Sequence, residues 1–567
     1  MDDSSDGSTS TAREREVLVA GNQNVLNEST PLLQGQNKNV IPAERPETGG
    51  NDDEQTVIVE EVVGAKLWLI LFTGWVGVFL GAIDASIIAT LSAPISSEFK
   101  SLSLVSWLAT AYLIANAACQ PISGRLTDIF GRGPGLVFSN IFFAAGNLIC
   151  GLAQSERVMI FGRVIAGIGG GGLMSITTFL GTDLVPLRKR GIIQGIGNIC
   201  YGSGAMLGGV FGGLINDYTS HGWRLAFLIQ VPPVLVSACL VAYLVRIPPK
   251  ISQKSYLARI DFVGAFLIIV FLVFLLLGLN AGGNLVPWVH PLPLTTIPLS
   301  IVALVGFVLW EARAAQPVIP VRLLTHRTVF TSCFTNLFCT MANMMTLFYV
   351  PIYLQVRGGT ATQAGLVILF APIGVSICSI GSGYLMKKTG RYVGLGILAL
   401  LLQLASVIIL TTLDETSPPW KLRLSFFLLG AGYGSMLTIT LIACLSAVDH
   451  SQQAPITSAT YAFRSVGGTV GITIASAVYQ NVLKTELWER FGDLPGAAEE
   501  IGRIRDDLDE LKHLPVGWDV AEVIAAFMEA FRSVWFTMLG LVLLGLVFVS
   551  LMKQHTLHSN LARSERN

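Results

Sequence analysis

Long apolar runs, separated by short charged or Pro/Gly-rich breaks, recur along the chain from residue 66 to residue 555. A helix needs about 20 mostly apolar residues to cross a bilayer. Runs of that length predict spans at 67–91, 104–123, 135–153, 158–182, 192–214, 225–245, 261–281, 294–311, 329–355, 365–386, 392–412, 423–447, 457–481 and 532–552. The total is fourteen, and the fold class is an all-α polytopic membrane protein. The run at 294–311 is short and opens after Pro291 and Pro293.

The first 65 residues break the pattern. They are rich in Ser, Asn, Asp, Glu and Gly and hold no run of spanning length. Such a composition predicts a disordered tail rather than a signal peptide. Placing this tail in the cytosol puts Arg125, Arg132, Arg188 to Arg190, Arg246, Lys250, Lys254, Arg259, Arg313, Arg322, Arg327, Lys387, Lys388 and Arg391 in cytosolic loops. The opposite short loops hold Lys100, Arg157, Arg224, Arg357, Lys421 and Arg423, so the bias is fifteen to six. Positive loops stay on the cytosolic side, and an even span count returns the C-terminus there. The long segment 482–531 then falls on the far side, and its amphipathic stretch at 497–512 reads as a surface helix with solvated charges.

Composition agrees with this picture. Of 567 residues, 52% are hydrophobic and 13% charged, with mean hydropathy +0.62. Soluble domains carry about 25% charged residues. The net charge is zero, so no basic surface calls for nucleic acid. The eight cysteines all lie inside apolar runs and show neither C-x-x-C nor Cys/His spacing, so neither a disulfide scaffold nor a metal site is expected. Gly167 to Gly172 spells G-x-G-x-x-G inside a predicted span, without the strand that a dinucleotide site needs. No G-x-x-x-x-G-K-[ST] occurs, so ATP hydrolysis in this chain is not expected to power it, and no cofactor is expected.

Two loops share the frame G-x-L-x-x-x-x-G-R: Gly124 to Arg132 after span 2, and Gly383 to Arg391 after span 10. Parallel repeats of this kind are a transporter architecture. The first loop resembles the signature of the major facilitator superfamily, G-x-L-a-D-r-x-G-r-k. Gly124, Leu126, Asp128, Gly131 and Arg132 match it, while Ile129 and Gly133 replace two usual basic residues. Asp84 to Pro94 is similar to a span-1 stretch of the fourteen-span drug:proton antiporters. Arg163, Gly167 and Gly169 resemble their R-x-x-q-G-x-g motif. Gly195, Gly204, Gly208, Gly212 and Gly213 resemble the antiporter glycine motif of span 5, with Gly209 where that motif has proline. The resemblance covers residues 66–555 and is strongest to the fungal vacuolar basic amino acid transporters. It implies two pseudo-symmetric six-helix bundles plus two extra helices. The organisation is then a tail at 1–65, a first bundle at 66–246, two linker spans at 247–328, a second bundle at 329–555 and a cytosolic end at 556–567.

Ionisable groups at membrane depth are costly and are functional candidates by default. Asp84 is the acid deep within a span; Arg163 and Arg464 are the deep bases. Asp84 lies about seven residues, roughly 10 Å, inside the far face, and Arg163 about five residues inside the same face. The two are placed to pair. The pair reads either as a coupling site, where proton or substrate competes for the carboxylate, or as a strut orienting spans 1 and 4. Arg464 reads as a carboxylate ligand, a gate or a structural group.

Gly204, Gly208 and Gly212 recur on one helix face and allow close approach, either where the two halves slide or as plain packing. Asp128, Arg132, Asp183 and Arg190 are expected to form a cytosolic clamp, or else a solvated loop. Tyr112, Asn116, Asn147, Asn336, Asn343, Tyr349 and Tyr353 are candidate cavity-lining groups, or else interhelical hydrogen-bonders. Glu28, Leu32 and Leu33 spell E-x-x-x-L-L, an acidic dileucine signal that a sorting adaptor can bind.

The expected function is therefore a proton-exchanging transporter of amino acids, the cationic ones (lysine, arginine, histidine) by resemblance, into the vacuole. A plasma-membrane multidrug or siderophore exporter of the same fold is the nearest alternative. A sensor that has kept the fold but lost turnover is the alternative from another class. No nucleophile–base pair argues for an enzyme.

Overall fold

The computed structural model describes residues 64–557, apart from short stretches at 100–102, 220–221, 248–258, 283–285, 315–316, 320, 359–365, 450–451, 507–513 and 516. The dileucine motif of Glu28, Leu32 and Leu33 lies outside the described residues.

The described chain is almost entirely helical. The first half holds α1 (Ala65–Phe99), α2 (Ser103–Phe130), α3 (Arg132–Gly151), α4 (Glu156–Leu184) and α5 (Leu187–Tyr218). Its sixth crossing is α6 (Trp223–Leu228) continued by α7 (Val231–Leu244). Pro232 and Pro233 stand at the start of α7, where missing N–H groups cost least. A hairpin of α8 (Phe262–Ala281) and α9 (Pro291–Glu311) follows, then the short α10 (Val321–Leu324). The second half holds α11 (Arg327–Val356), α12 (Phe370–Thr389), α13 (Val393–Thr411), α14 (Pro419–Ala447), α15 (Gln453–Phe491), the short α16 (Ala497–Asp506) and α17 (Val520–Ser550).

Twelve helices among the described residues, with α6 and α7 joined as one, are long and apolar enough to cross a membrane. The other two long helices, α2 and α15, occupy the places of predicted spans 2 and 13. They are the more polar ones for a physical reason: they pack on each other across the two halves. There Gln120 and Ser465 meet and Thr457, Ser458 and Thr460 are buried, so the side chains face protein rather than lipid.

The predicted lengths change at the far end. Helix α1 runs on to Phe99, past the expected end at residue 91, with Pro94 inside it. The segment 482–531, expected as an extramembrane loop, is largely helical. Helix α15 continues to Phe491 and α17 starts at Val520. Leu483, Leu487 and Phe491, one helical turn apart, pack into the same core as Val523, Phe527 and Phe531. Phe491 stacks on Trp518 at 4.4 Å, and Ile501 and Ile504 of α16 bury against this extension. A hydropathy count stops where charges such as Glu486 and Arg490 appear, although here these pair with each other at 2.9 Å.

Each half has its own core. Trp75, Phe143 and Phe179 are buried in the first; Tyr353, Phe426 and Trp535 are buried in the second. The halves meet where α5 packs on α12 and α2 on α15, and α8 lies against both α2 and α15.

Candidate functional site

Asp84 and Arg163 form the pair that their depths predict. Arg163 Nη1 donates to Asp84 Oδ2 at 2.7 Å, and both side chains are fully buried. Arg163 has further supports: its Nε donates to the Leu108 carbonyl at 3.0 Å, and its guanidinium lies 4.4 Å from the Tyr112 ring centre. Tyr112 is pinned in turn by its hydroxyl, which donates to the Gly81 carbonyl at 3.1 Å. Asp84 Oδ1 is buried and has no hydrogen-bond partner.

Glycines make room for this cluster. In α4, a side chain on Gly167 would stand 2.5 Å from the Tyr112 carbonyl, and one on Gly171 would strike the Asn116 backbone. In α5, a side chain on Gly204 would strike the Phe79 carbonyl, and one on Gly208 would strike Ser86 and stand 2.6 Å from the Ile83 carbonyl. The Gly204 and Gly208 face therefore packs on α1 beside Asp84, inside the first half. It is not the surface between the halves. Of the motif, Gly195 meets the second half, with a side chain there 3.0 Å from the Ile380 backbone. Gly212 is buried, and Gly213 has open space around its Cα.

At the basic end, Arg132 Nη2 donates to Asp128 Oδ1 at 2.6 Å and its Nε to Asp183 Oδ2 at 2.7 Å. Gly131, with φ +97°, supplies the left-handed turn between α2 and α3 that this fit requires. Gly124 sits against Ser458 and the Ala454 carbonyl of α15. Arg190 interacts electrostatically with Asp183, as the expected network has it, but its hydrogen bonds go elsewhere. Its Nε donates to the Val185 carbonyl at 2.6 Å and its Nη1 to Gln453 Oε1 at 2.8 Å, so it bridges the halves through a neutral amide. Other hydrogen bonds cross the same seam. Asn198 Nδ2 donates to Ser379 Oγ at 2.9 Å, and Ser379 is tied within the second half to Thr438 at 2.7 Å. The Thr178 and Tyr461 hydroxyls meet at 2.7 Å, and Arg188 Nε donates to the Lys387 carbonyl at 2.7 Å.

Arg464 stands at this seam. Its guanidinium lies 4.6 Å from the Tyr461 ring centre, and its buried Nε has no partner. Tyr201 and Tyr433 are within its electrostatic reach. Tyr201 is 40% exposed in mid-helix. Asn116 reaches the same place: its Oδ1 accepts from Gln120 Nε2 at 2.7 Å, and Gln120 Oε1 accepts from Ser465 at 3.5 Å.

The remaining cavity candidates sort differently. Tyr112 belongs to the Arg163 cluster. Asn147 is fully buried within the first half, its Nδ2 donating to the Phe143 carbonyl. Tyr349 packs on Tyr479 at 5.3 Å, and the Tyr353 hydroxyl donates to the Asp414 carbonyl at 2.7 Å, so both are core groups of the second half rather than cavity lining. Asn336 is buried on α11 with neither amide atom bonded, and Asn343 is half-buried on the same helix. Tyr201, Tyr433, Gln120 and Gln453 were not singled out by sequence. Their signal was available: each is a polar side chain inside a run of spanning length or at its edge.

Outside the membrane-spanning part of α1, Glu98 accepts from Trp223 Nε1 at 2.7 Å and pairs with Arg224 at 2.7 Å. Burial pulls its pKa upward, but the Arg224 and Trp223 hydrogen bonds win and hold it below the usual value. A lowered carboxylate pKa stabilises the fold above its unfolded value and loses that contribution only as pH falls through the folded one. This tie at the far end therefore survives mild acid.

Two packed bundles of membrane-length helices that meet at a polar seam are the frame of a membrane transporter. The model described as Major Facilitator Superfamily matches residues 74–472, and the chain belongs to that family. It is 36% identical over 515 residues to the multidrug resistance protein fnx1 of Schizosaccharomyces pombe, covering 89% of this chain and 96% of that one. It is 31% identical to the vacuolar membrane amino acid uptake transporter fnx2 of the same yeast, covering 90% and 85%. It is 32% identical to the vacuolar basic amino acid transporter 2 of Saccharomyces cerevisiae, covering 67% and 82%. The crystal structure of the human organic anion transporter MFSD10 shares the fold, with a TM-score of 0.56 at 13% identity, covering 86% of this chain and 100% of that one.

The glycine packing gives a direct test. Gly204→Val should destabilise the protein by about 1–3 kcal/mol, the usual cost of overpacking, whereas Gly213→Ala should be neutral. Thermal unfolding in detergent reads both, and equal midpoints for the two variants would contradict the assigned contacts.

Proposed function

We propose that the protein is a proton-coupled antiporter that moves amino acids, cationic ones foremost, into the vacuole in exchange for protons, with both termini in the cytosol. The observation that carries this reading is the Asp84–Arg163 pair. One carboxylate oxygen is engaged and the other is free to take a proton. Arg163 keeps the Leu108 carbonyl and the Tyr112 ring when Asp84 becomes neutral. A proton can thus arrive without stranding a bare cation, whose isolation at this depth is costly.

Arg464 supports an amino acid as the cargo. Its unpartnered Nε is a ready donor for a carboxylate, and the hydroxyls of Tyr201 and Tyr433 nearby are acceptors for an ammonium group. Asp128, Arg132 and Asp183 brace the cytosolic end of the first half, while Arg190 holds the second half through Gln453. The vacuolar assignment draws on the two vacuolar relatives and on Glu28, Leu32 and Leu33, where a sorting adaptor binds in this scheme.

A second reading, drug export at the plasma membrane, is favoured by the 36% identity to a multidrug resistance protein. A lone guanidinium at the seam disfavours it for cationic drugs without a carboxylate. Lysine uptake by isolated vacuoles decides between them. The proposal expects uptake that a protonophore abolishes; vacuoles lacking the protein that accumulate lysine equally would overturn it.

Two variants probe the mechanism. Asp84→Asn holds the site in its neutral form while Arg163 keeps the Leu108 carbonyl and the Tyr112 ring, and the double variant D84N/R163Q removes both charges together. It should keep lysine exchange across the membrane but lose gradient-driven accumulation, and retained accumulation would remove Asp84 from coupling. Arg464→Gln should raise the KM for lysine about tenfold or more, the value of about 1.5–3 kcal/mol for a charged hydrogen bond. An unchanged KM in initial-rate uptake would remove Arg464 from binding.

A further inference from the structure

Asn336 of α11 is 1% exposed, and neither its Oδ1 nor its Nδ2 makes a hydrogen bond. Buried amides are ordinarily bonded, and each polar atom left without a partner costs stability. In Asn147 and Gln403, by contrast, the buried amide nitrogen donates to a carbonyl and only the oxygen is left over.

The register of the helices shows what Asn336 faces. Helices α11 and α15 run side by side in the same direction. A side chain on Gly467 would stand 2.6 Å from the Leu337 carbonyl, and one on Gly471 would stand 2.6 Å from the Met341 Cα, so both helices advance by one turn between these contacts. On the neighbouring row, Gly468 lies opposite Thr340, where a side chain would stand 3.8 Å from Thr340 Cγ2. One turn earlier, four residues back on each helix, that row holds Arg464 and Asn336. Helix α14 closes the third side: the Tyr433 hydroxyl meets the Thr340 side chain and lies within the electrostatic reach of Arg464. The buried Nε of Arg464 is also without a partner. Two unsatisfied groups of complementary chemistry thus share one crevice and do not bond each other. Gly467 and Gly471 are demanded by the close approach of the helices. Gly468 is not, since a side chain there would meet ordinary contacts at 3.5 and 3.8 Å, and glycine leaves space beside Arg464.

We propose that Asn336 and Arg464 together bind the head group of an amino acid, its α-carboxylate and its α-ammonium, in the crevice between α11 and α15. This rests on the reading of the protein as an amino acid transporter and adds the atoms that recognise the cargo. A guanidinium only donates, so Arg464 Nε takes the carboxylate. An amide offers two donor hydrogens and an acceptor oxygen. Nδ2 of Asn336 serves the second carboxylate oxygen, and Oδ1 accepts from the ammonium. One amide therefore meets both charges of a zwitterion. Arg464 is half-buried, so the crevice opens to the seam along it. The cargo's own side chain makes none of these contacts. The site selects amino acids as a class, and a preference for lysine comes from groups outside it.

Titration calorimetry on the full-length protein in nanodiscs tests this without transport. Lysine should bind about tenfold or more tighter than ε-aminocaproate, which lacks the α-ammonium, and than cadaverine, which lacks the carboxylate. Asn336→Leu should weaken lysine by about tenfold or more and bring it level with ε-aminocaproate. The empty N336L protein should melt no lower than the unaltered one, because leucine of similar size removes an unpaired amide. An amide that only supports the fold would instead lower that midpoint and weaken all three ligands alike. That result, or lysine affinity unchanged in N336L, would overturn the proposal and leave the transport reading standing. Leucine that binds through Asn336 where lysine does not bind would uphold the head-group site and overturn the cationic cargo. Failure of both amino acids to bind would overturn both.

Discussion

A charge sunk in a protein that is itself surrounded by lipid must keep a partner, and the first half is built around that demand. Asp84 and Arg163 sit on α1 and α4 with no solvent exposure, joined at 2.7 Å. Bringing them together requires four helices to approach more closely than ordinary side chains allow. The glycines of α4 admit the Tyr112 and Asn116 backbones of α2, and those of α5 admit the α1 segment that carries Asp84. The glycines of spans 4 and 5 that face α1 and α2 thus serve this site, while Gly169 and Gly172 admit α3 and Gly195 admits the second half.

The two halves differ in how they hold charge. The first pairs its charges internally: Asp84 with Arg163, and Arg132 with Asp128 and Asp183. The second offers the unpartnered Nε of Arg464 to the seam. Between the halves, the crossing bonds described run to neutral acceptors, from Asn198 to Ser379, between Thr178 and Tyr461, and from the Arg190 guanidinium to an amide oxygen. A neutral hydrogen bond contributes about 0.5–1.5 kcal/mol net, and one from a charged guanidinium about 1.5–3 kcal/mol. Breaking a buried ion pair costs about 3–5 kcal/mol. A machine that must part its halves repeatedly is better served by the weaker ties at the seam and the stronger ones inside each body.

Much of this was legible in the sequence because the bilayer imposes a length on every crossing. Apolar runs marked the helices, and a helical rise of about 1.5 Å per residue brought Asp84 and Arg163 to similar depths before any coordinates. What pattern alone missed has physical causes. The far ends of α1, α15 and α17 continue beyond their apolar runs because Leu483, Leu487 and Phe491 find partners on α17 rather than in lipid. The Gly204 and Gly208 face was legible as a surface of close approach, but a helix pattern does not say which neighbour it meets. Tyr349 and Tyr353 share a helix with Asn343, yet one-dimensional spacing does not separate a face turned to the core from one turned to the seam. Arg190 was legible as a charge and not as a bridge, since its partner Gln453 lies 263 positions away.

The central claim is that a proton and an amino acid alternate on this frame, and counting both at once tests it most directly. Purified protein in sealed proteoliposomes containing a trapped pH dye, given a lysine gradient and no other driving force, should move protons against the direction of lysine flow. Lysine entering at the same rate with no change in internal pH would contradict the account.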